Sequence, residues 1–128
     1  MSENVEVVRG LLDRWRKGEL ALDSFADDVV WDSTSFPDGR IVQGHEEMKE
    51  FMRRWLGTWQ QYELHVEEIL DAGQKVLALT HESGRGRGSS AAVELRGALV
   101  FSVAGGKVVG FKGFLDRDEA LDYVGLSR

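Results

Sequence analysis

Apolar and polar residues alternate along AAVELRGALVFSVAGGKVVGFKGFLD, residues 91–116. Val93, Leu95, Leu99 and Phe101, then Val109 and Phe111, hold alternate positions, the period of a sheet with one covered face. Gly105-Gly106 between them supplies the positive-φ pair that a tight hairpin needs. The spacing predicts two long strands joined at residues 104–107. They form the centre of a curved sheet, with the preceding helices packed on its apolar face.

Upstream the period changes. Val5, Val8, Leu12 and Trp15 recur three and four residues apart, one face of an amphipathic helix. Ser2 is its expected N-cap, Glu3 and Glu6 suit its first turn, and Arg16-Lys17-Gly18 is its stop. A short second helix is expected from Glu19 to Phe25, broken by Ala26-Asp27-Asp28, then a short strand from Val29 to Ser33. Ser35-Phe36-Pro37-Asp38-Gly39 is turn chemistry, and Arg40-Ile41-Val42 reads as a brief strand. Gly44 opens a third helix with Met48, Phe51, Met52 and Trp55 on its inner face. Next, Tyr62, Leu64 and Val66 alternate with Gln61, Glu63, His65 and Glu67, a strand that turns at Asp71-Ala72-Gly73-Gln74. Lys75 to Glu82 forms its partner, and Gly84-Arg85-Gly86-Arg87-Gly88-Ser89-Ser90 reads as a loop or frayed strand end. Asp116 to Glu119 begins a closing helix that ends near Gly125. Helices segregated to one face of a mostly antiparallel sheet make an α+β domain. Its 128 residues suit one domain, residues 1–128.

Charge narrows the partners. The net charge of −6, from 22 acidic and 16 basic residues, argues against binding a phosphate backbone, so no nucleic acid is expected. No cysteine is present, which excludes disulfides and thiolate chemistry and fits a cytoplasmic location. Met1-Ser2-Glu3-Asn4 lacks a basic and apolar leader pattern, and no apolar run reaches transmembrane length, so neither export nor a membrane is expected.

The ordered segments RWRKGELALDSFADDVVWD, GHEEMKEFMRRWL and GGKVVGFKGFLDRDEAL resemble the nuclear transport factor 2-like superfamily, and within it the SnoaL-like (polyketide cyclase-like) branch. The resemblance covers essentially the whole chain. It implies a cone: a strongly curved sheet wrapped round the first helix, with two or three further helices and an internal cavity. Its known catalytic positions are not kept here. The isomerase-like general base falls on Ser33 in VVWDS, with Asp32 turned to the other face by strand alternation. The isomerases' tyrosine falls near Leu11, their second acid near Gly97, and the cyclases' aspartate on Gly113. Enzymes and binding modules share this fold, so the resemblance leaves function open.

The same alternation points Trp31, Ser33, Tyr62, Leu79, His81, Leu99 and Phe111 inward, with Trp15 and Trp55 closing the space from the helices. That set suits a ligand pocket, aromatic with a few polar tips, and equally suits a solid core. His81 is the one catalytic candidate, because imidazole titrates near neutral pH; a core or rim histidine is the alternative. Glu68 would orient it only if a bulge turned Glu68 inward. Ser33 has no adjacent base to activate it. His45 suits a structural place at a helix start and His65 a solvent-facing one. No histidine and acid spacing fits a metal, and no cofactor is implied. The arginines at 85 and 87 fit an exposed hairpin end better than an anion nest.

Two readings follow. In the first, the cavity binds a small, mostly apolar polycyclic or terpenoid-like molecule, with cofactor-free proton transfer (isomerisation, cyclisation or dehydration) as the chemistry. In the second, the domain is a non-catalytic interaction or ligand-carrying module. It forms a homodimer through the outer sheet face at Val100, Ser102, Val108 and Phe114.

Overall fold

The computed structural model describes residues 2–36, 39–88 and 91–126. Pro37 and Asp38 of the expected turn, and Ser89 and Ser90 of the glycine–arginine stretch, lie outside the described residues. Helix α1 (Glu3–Arg16) starts where Ser2 accepts a hydrogen bond from the Val5 N–H, and it buries Val5, Val8, Leu11 and Leu12. Trp15 continues that stripe, its indole donating to the Leu20 carbonyl at 3.0 Å.

The expected second helix does not form. Only one 3-10 turn, Leu22–Ser24, follows α1, behind Ala21 held at φ 58°. A segment this short cannot offset helix nucleation, and Phe25 is needed in the sheet, where it opposes Val108 and is fully buried. Strand β1 (Phe25–Asp32) therefore begins earlier than Val29 and carries Asp27 and Asp28 on an exposed stretch. Strand β2 (Ile41–Gln43) pairs antiparallel with its end, and helix α2 (Gly44–Gly57) follows. His45, near the start of α2, meets the Phe25 carbonyl at 3.0 Å and ties that helix to β1.

The long strands are β3 (Trp59–Ala72), β4 (Lys75–Gly86), β5 (Ala92–Ala104) and β6 (Lys107–Phe114), and helix α3 (Arg117–Tyr123) closes the described chain. One sheet holds all six strands in the order β2-β1-β6-β5-β4-β3. Every pairing is antiparallel except β1 with β6. The β5–β6 hairpin turns on Gly105 and Gly106 at φ 60° and 78°, as the sequence indicates. A bulge beside Ser102 then shifts the register, so that Val108 faces inward and Val109 is exposed.

The curved, unclosed sheet has two covered faces. Its inner face packs Val76, Phe101, Val103 and Val108 against α1. Its outer face packs Leu77, Leu79, Ala98, Val100 and Phe114 beneath Ala120 and Leu121 of α3. Each fully buried aliphatic side chain contributes roughly 1.5–3 kcal/mol. This second layer corrects the expected outer patch: Val100 and Phe114 are covered by α3, and Val108 belongs to the inner core. It also corrects Leu79, which packs outward.

Candidate functional site

Beyond the packed end, the inner face opens. Trp31 of β1, Tyr62 and Leu64 of β3, Glu82 of β4, Leu99 of β5, and Phe111 and Gly113 of β6 form one wall. Phe51, Met52 and Trp55 of α2 and Trp15 of α1 face them. Between these surfaces lie two neighbouring lobes of about 450 Å³ and 270 Å³, which share Trp31, Trp55, Glu82 and Leu99 as walls. Together they reach the size of a small-molecule site. Rings line the space in contact: Trp31 stacks on Phe111 at 4.5 Å and meets Phe51 edge-on at 4.7 Å. Gly113 lets the Phe36 ring pack against β6 in the larger lobe's wall, since a Cβ there would lie 2.6 Å from that ring.

One carboxyl borders both lobes. Glu82 is only partly exposed, and the Tyr62 hydroxyl donates a hydrogen bond to its Oε1. Burial among rings pushes the Glu82 carboxyl above the usual glutamate range, although the Tyr62 hydrogen bond opposes the shift. Burial, and then the neighbouring Glu82, push the Tyr62 phenol up, so it stays protonated as a donor. Such a carboxyl can deliver a proton when neutral and accept one when ionised, the two halves of general acid–base chemistry.

The residues expected at the site divide. Trp15, Trp31, Ser33, Trp55, Tyr62, Leu99 and Phe111 border the lobes. Trp15 and Phe111 serve the core as well, 5.8 Å apart and close to Phe25. His81 and Leu79 do not border them. His81 points outward, stacked on His65 at 6.0 Å with Glu94 at 3.7 Å from its Nε2. The cause is a bulge in β3 between Val66 and Glu68. An unbroken hairpin from Ala72↔Lys75 would set Val66 opposite His81; the bulge sets it opposite Thr80, and Leu64 opposite Glu82. Sequence reasoning thus missed Glu82, and its only signal was the neighbouring inward position on the same strand.

Ser33 is 4% exposed and fully engaged: its hydroxyl donates to the Arg40 carbonyl at 2.8 Å and accepts from the Arg40 N–H at 2.9 Å. Asp32 lies on the opposite face, 3.5 Å from Lys112, and hydrogen bonds from Thr34 hold its carboxyl low against the cost of partial burial. Arg87 braces the end of β4 to α2, donating to the Gly57 carbonyl at 2.8 Å, and is committed there. Among the described residues no cluster of three His, Asp or Glu could hold a metal ion. No helix among them is long and apolar enough to cross a membrane.

Solved structures share this architecture. An NTF2-like protein of unknown function from Burkholderia pseudomallei superposes with a TM-score of 0.80 at 22% identity, over 97% of this chain and 98% of its own. A candidate SnoaL-like polyketide cyclase from Jannaschia sp. CCS1 gives 0.74 at 21% identity, covering 88% and 84%. An epoxide hydrolase of the LEH-like type from M. tuberculosis gives 0.71 at 19%, covering 89% and 83%. At these identities the likeness establishes the cone fold alone. No curated protein matches the sequence significantly. The sequence profile of the SnoaL-like domain matches residues 8–111, and the chain belongs to that family.

Proposed function

We propose that this domain binds a small, mostly apolar, ring-containing molecule between α2 and the inner sheet face and moves a proton on it with Glu82, without a cofactor. The observation that carries the reading is the Glu82–Tyr62 pair, a carboxyl raised by burial in the wall common to both lobes. Ionised, Glu82 takes a proton from a carbon beside a carbonyl; neutral, it returns that proton at a second carbon or oxygen, giving isomerisation or ring closure. Tyr62 hydrogen-bonds the carboxyl and fixes its orientation. The ring-lined walls supply stacking and exclude water.

The test has two steps. Steroid-like, polyketide-like and terpenoid-like compounds are titrated against tryptophan fluorescence, which Trp15, Trp31 and Trp55 report from the walls. Saturable change is expected with at least one class, and no change with any contradicts the reading. Deuterium exchange into 2-tetralone in heavy water is then followed by NMR. The wild-type rate is expected to fall about 100-fold or more in Glu82→Gln, the usual range for losing a general base. Saturable binding with no exchange, or exchange indifferent to Glu82→Gln, would instead favour a ligand-carrying module, the reading that fits the unoccupied family positions at Leu11, Ser33, Gly97 and Gly113.

A further inference from the structure

The mouths of the two lobes use their charges differently. Arg16 and Glu19 border the smaller lobe, and each already has a partner: Asp13 lies 3.8 Å from Arg16, and Arg14 lies 3.2 Å from Glu19. Arg40, Arg54 and Thr58 border the larger lobe. Arg54 meets Glu50 at 3.2 Å across one exposed helical turn, a weak, screened pair. Arg40 pairs with no carboxylate among the described residues; its guanidinium lies over the Phe51 ring at 5.5 Å.

This arginine is built into the wall. Ser33 holds its backbone through the two hydroxyl hydrogen bonds and a third from the Ser33 N–H to the Arg40 carbonyl at 3.0 Å. Its side chain caps a ladder of rings, Arg40 on Phe51, Phe51 on Trp31, Trp31 on Phe111. A guanidinium lying over a ring, with no carboxylate partner, can turn its forked N–H edge to a planar oxyanion. In a chain of net charge −6, Arg40 and the weakly paired Arg54 at one mouth can attract an anion there. Among the described residues Glu82 is the only carboxyl in the larger lobe's walls, and Tyr62 already engages it.

We infer that the occupant is an aromatic acid, its rings against Trp31, Phe51 and Trp55 and its carboxylate held by Arg40 with Arg54 beside it. This rests on the reading that the cavity holds a ligand. Arg40 then sets specificity, and Ser33 positions Arg40.

Calorimetric titration of anthraquinone carboxylate and its methyl ester against wild type, Arg40→Gln and Arg54→Gln separates the two claims. The acid is expected to bind about tenfold more tightly than the ester, the scale of one charge-assisted pair, with the preference shrinking at high salt. Arg40→Gln is expected to bring the ratio close to one, and saturable binding of the ester shows that the variant is folded. Arg54→Gln is expected to reduce the ratio only in part. Equal affinity for acid and ester in the wild type overturns the arginine inference and leaves the cavity standing. A preference that survives Arg40→Gln overturns Arg40 as its source. Failure of both compounds to bind counts against both readings.

Discussion

The two ends of the inner sheet face obey one alternation and reach opposite outcomes. At one end Phe25, Val76, Phe101, Val103 and Val108 close against Val5, Val8, Leu11 and Leu12 of α1 without leaving space. One rung further along β5 and β6, Leu99 and Gly113 face Phe51 and Trp55 of α2 across a cavity. Hydrophobicity does not separate the two ends, since both are lined by rings. Side-chain size and the facing helix do. Branched side chains of α1 interlock with the strands, whereas at the other end Phe51 of α2 meets Trp31 edge-on, Trp31 stacks on Phe111, and the rung at Gly113 is taken by the Phe36 ring. A covered sheet face therefore becomes a core or a site by local volume, not by pattern.

Substitutions at the two ends should separate stability from binding. Phe101→Ala, at the packed end, is expected to cost about 3–5 kcal/mol in urea unfolding. A loss below about 1 kcal/mol would show that end to be looser than described. Gly113→Ala, at the open end, places a methyl group against the Phe36 ring. It is expected to cost about 1–2 kcal/mol while narrowing the larger lobe and weakening aromatic ligands several-fold. Unchanged affinity would place the ligand elsewhere.

The charge buried at the open end adds a pH signature. A carboxyl raised in the folded state binds more protons folded than unfolded across the interval between its two values. Its contribution to stability is complete below the ordinary glutamate range and is lost as pH rises through the raised value. Glu82→Gln should therefore flatten that decline in a series of unfolding curves, and an unchanged slope would contradict a buried acid. The smallest effect belongs to His81. His81→Ala is expected to alter stability by less than about 0.5 kcal/mol and leave ligand binding intact. Any loss of binding would bring the outer face into the site.

Much of the architecture was legible because it rests on short-range signals. The Ser2 cap, the Gly105-Gly106 turn and the stripe on α2 each act within a few residues. The segment after α1 was not legible, because the demand for Phe25 beside Val108 is a long-range one. The site was half legible for a related reason. Its rings could be read from alternation, but β4 is apolar on both faces from Val76 to Leu79, since α1 covers one and α3 the other. With no polar face to set its phase, the bulge in β3 decided it, and a bulge of this kind has no sequence mark. The pattern then put His81 inward as a base and gave Glu82 no role, whereas the fold turns Glu82 to the lobes and His81 outward.

The proposed site stands or falls on Glu82 being a raised carboxyl in the wall of both lobes. A carboxyl-labelled glutamate NMR titration, with Glu82→Gln to assign the resonance, tests it directly. One carboxyl is expected to titrate above the ordinary glutamate range, to disappear in the variant and to shift when an aromatic ligand is added. A Glu82 resonance that titrates in the ordinary range and ignores every ligand would contradict it.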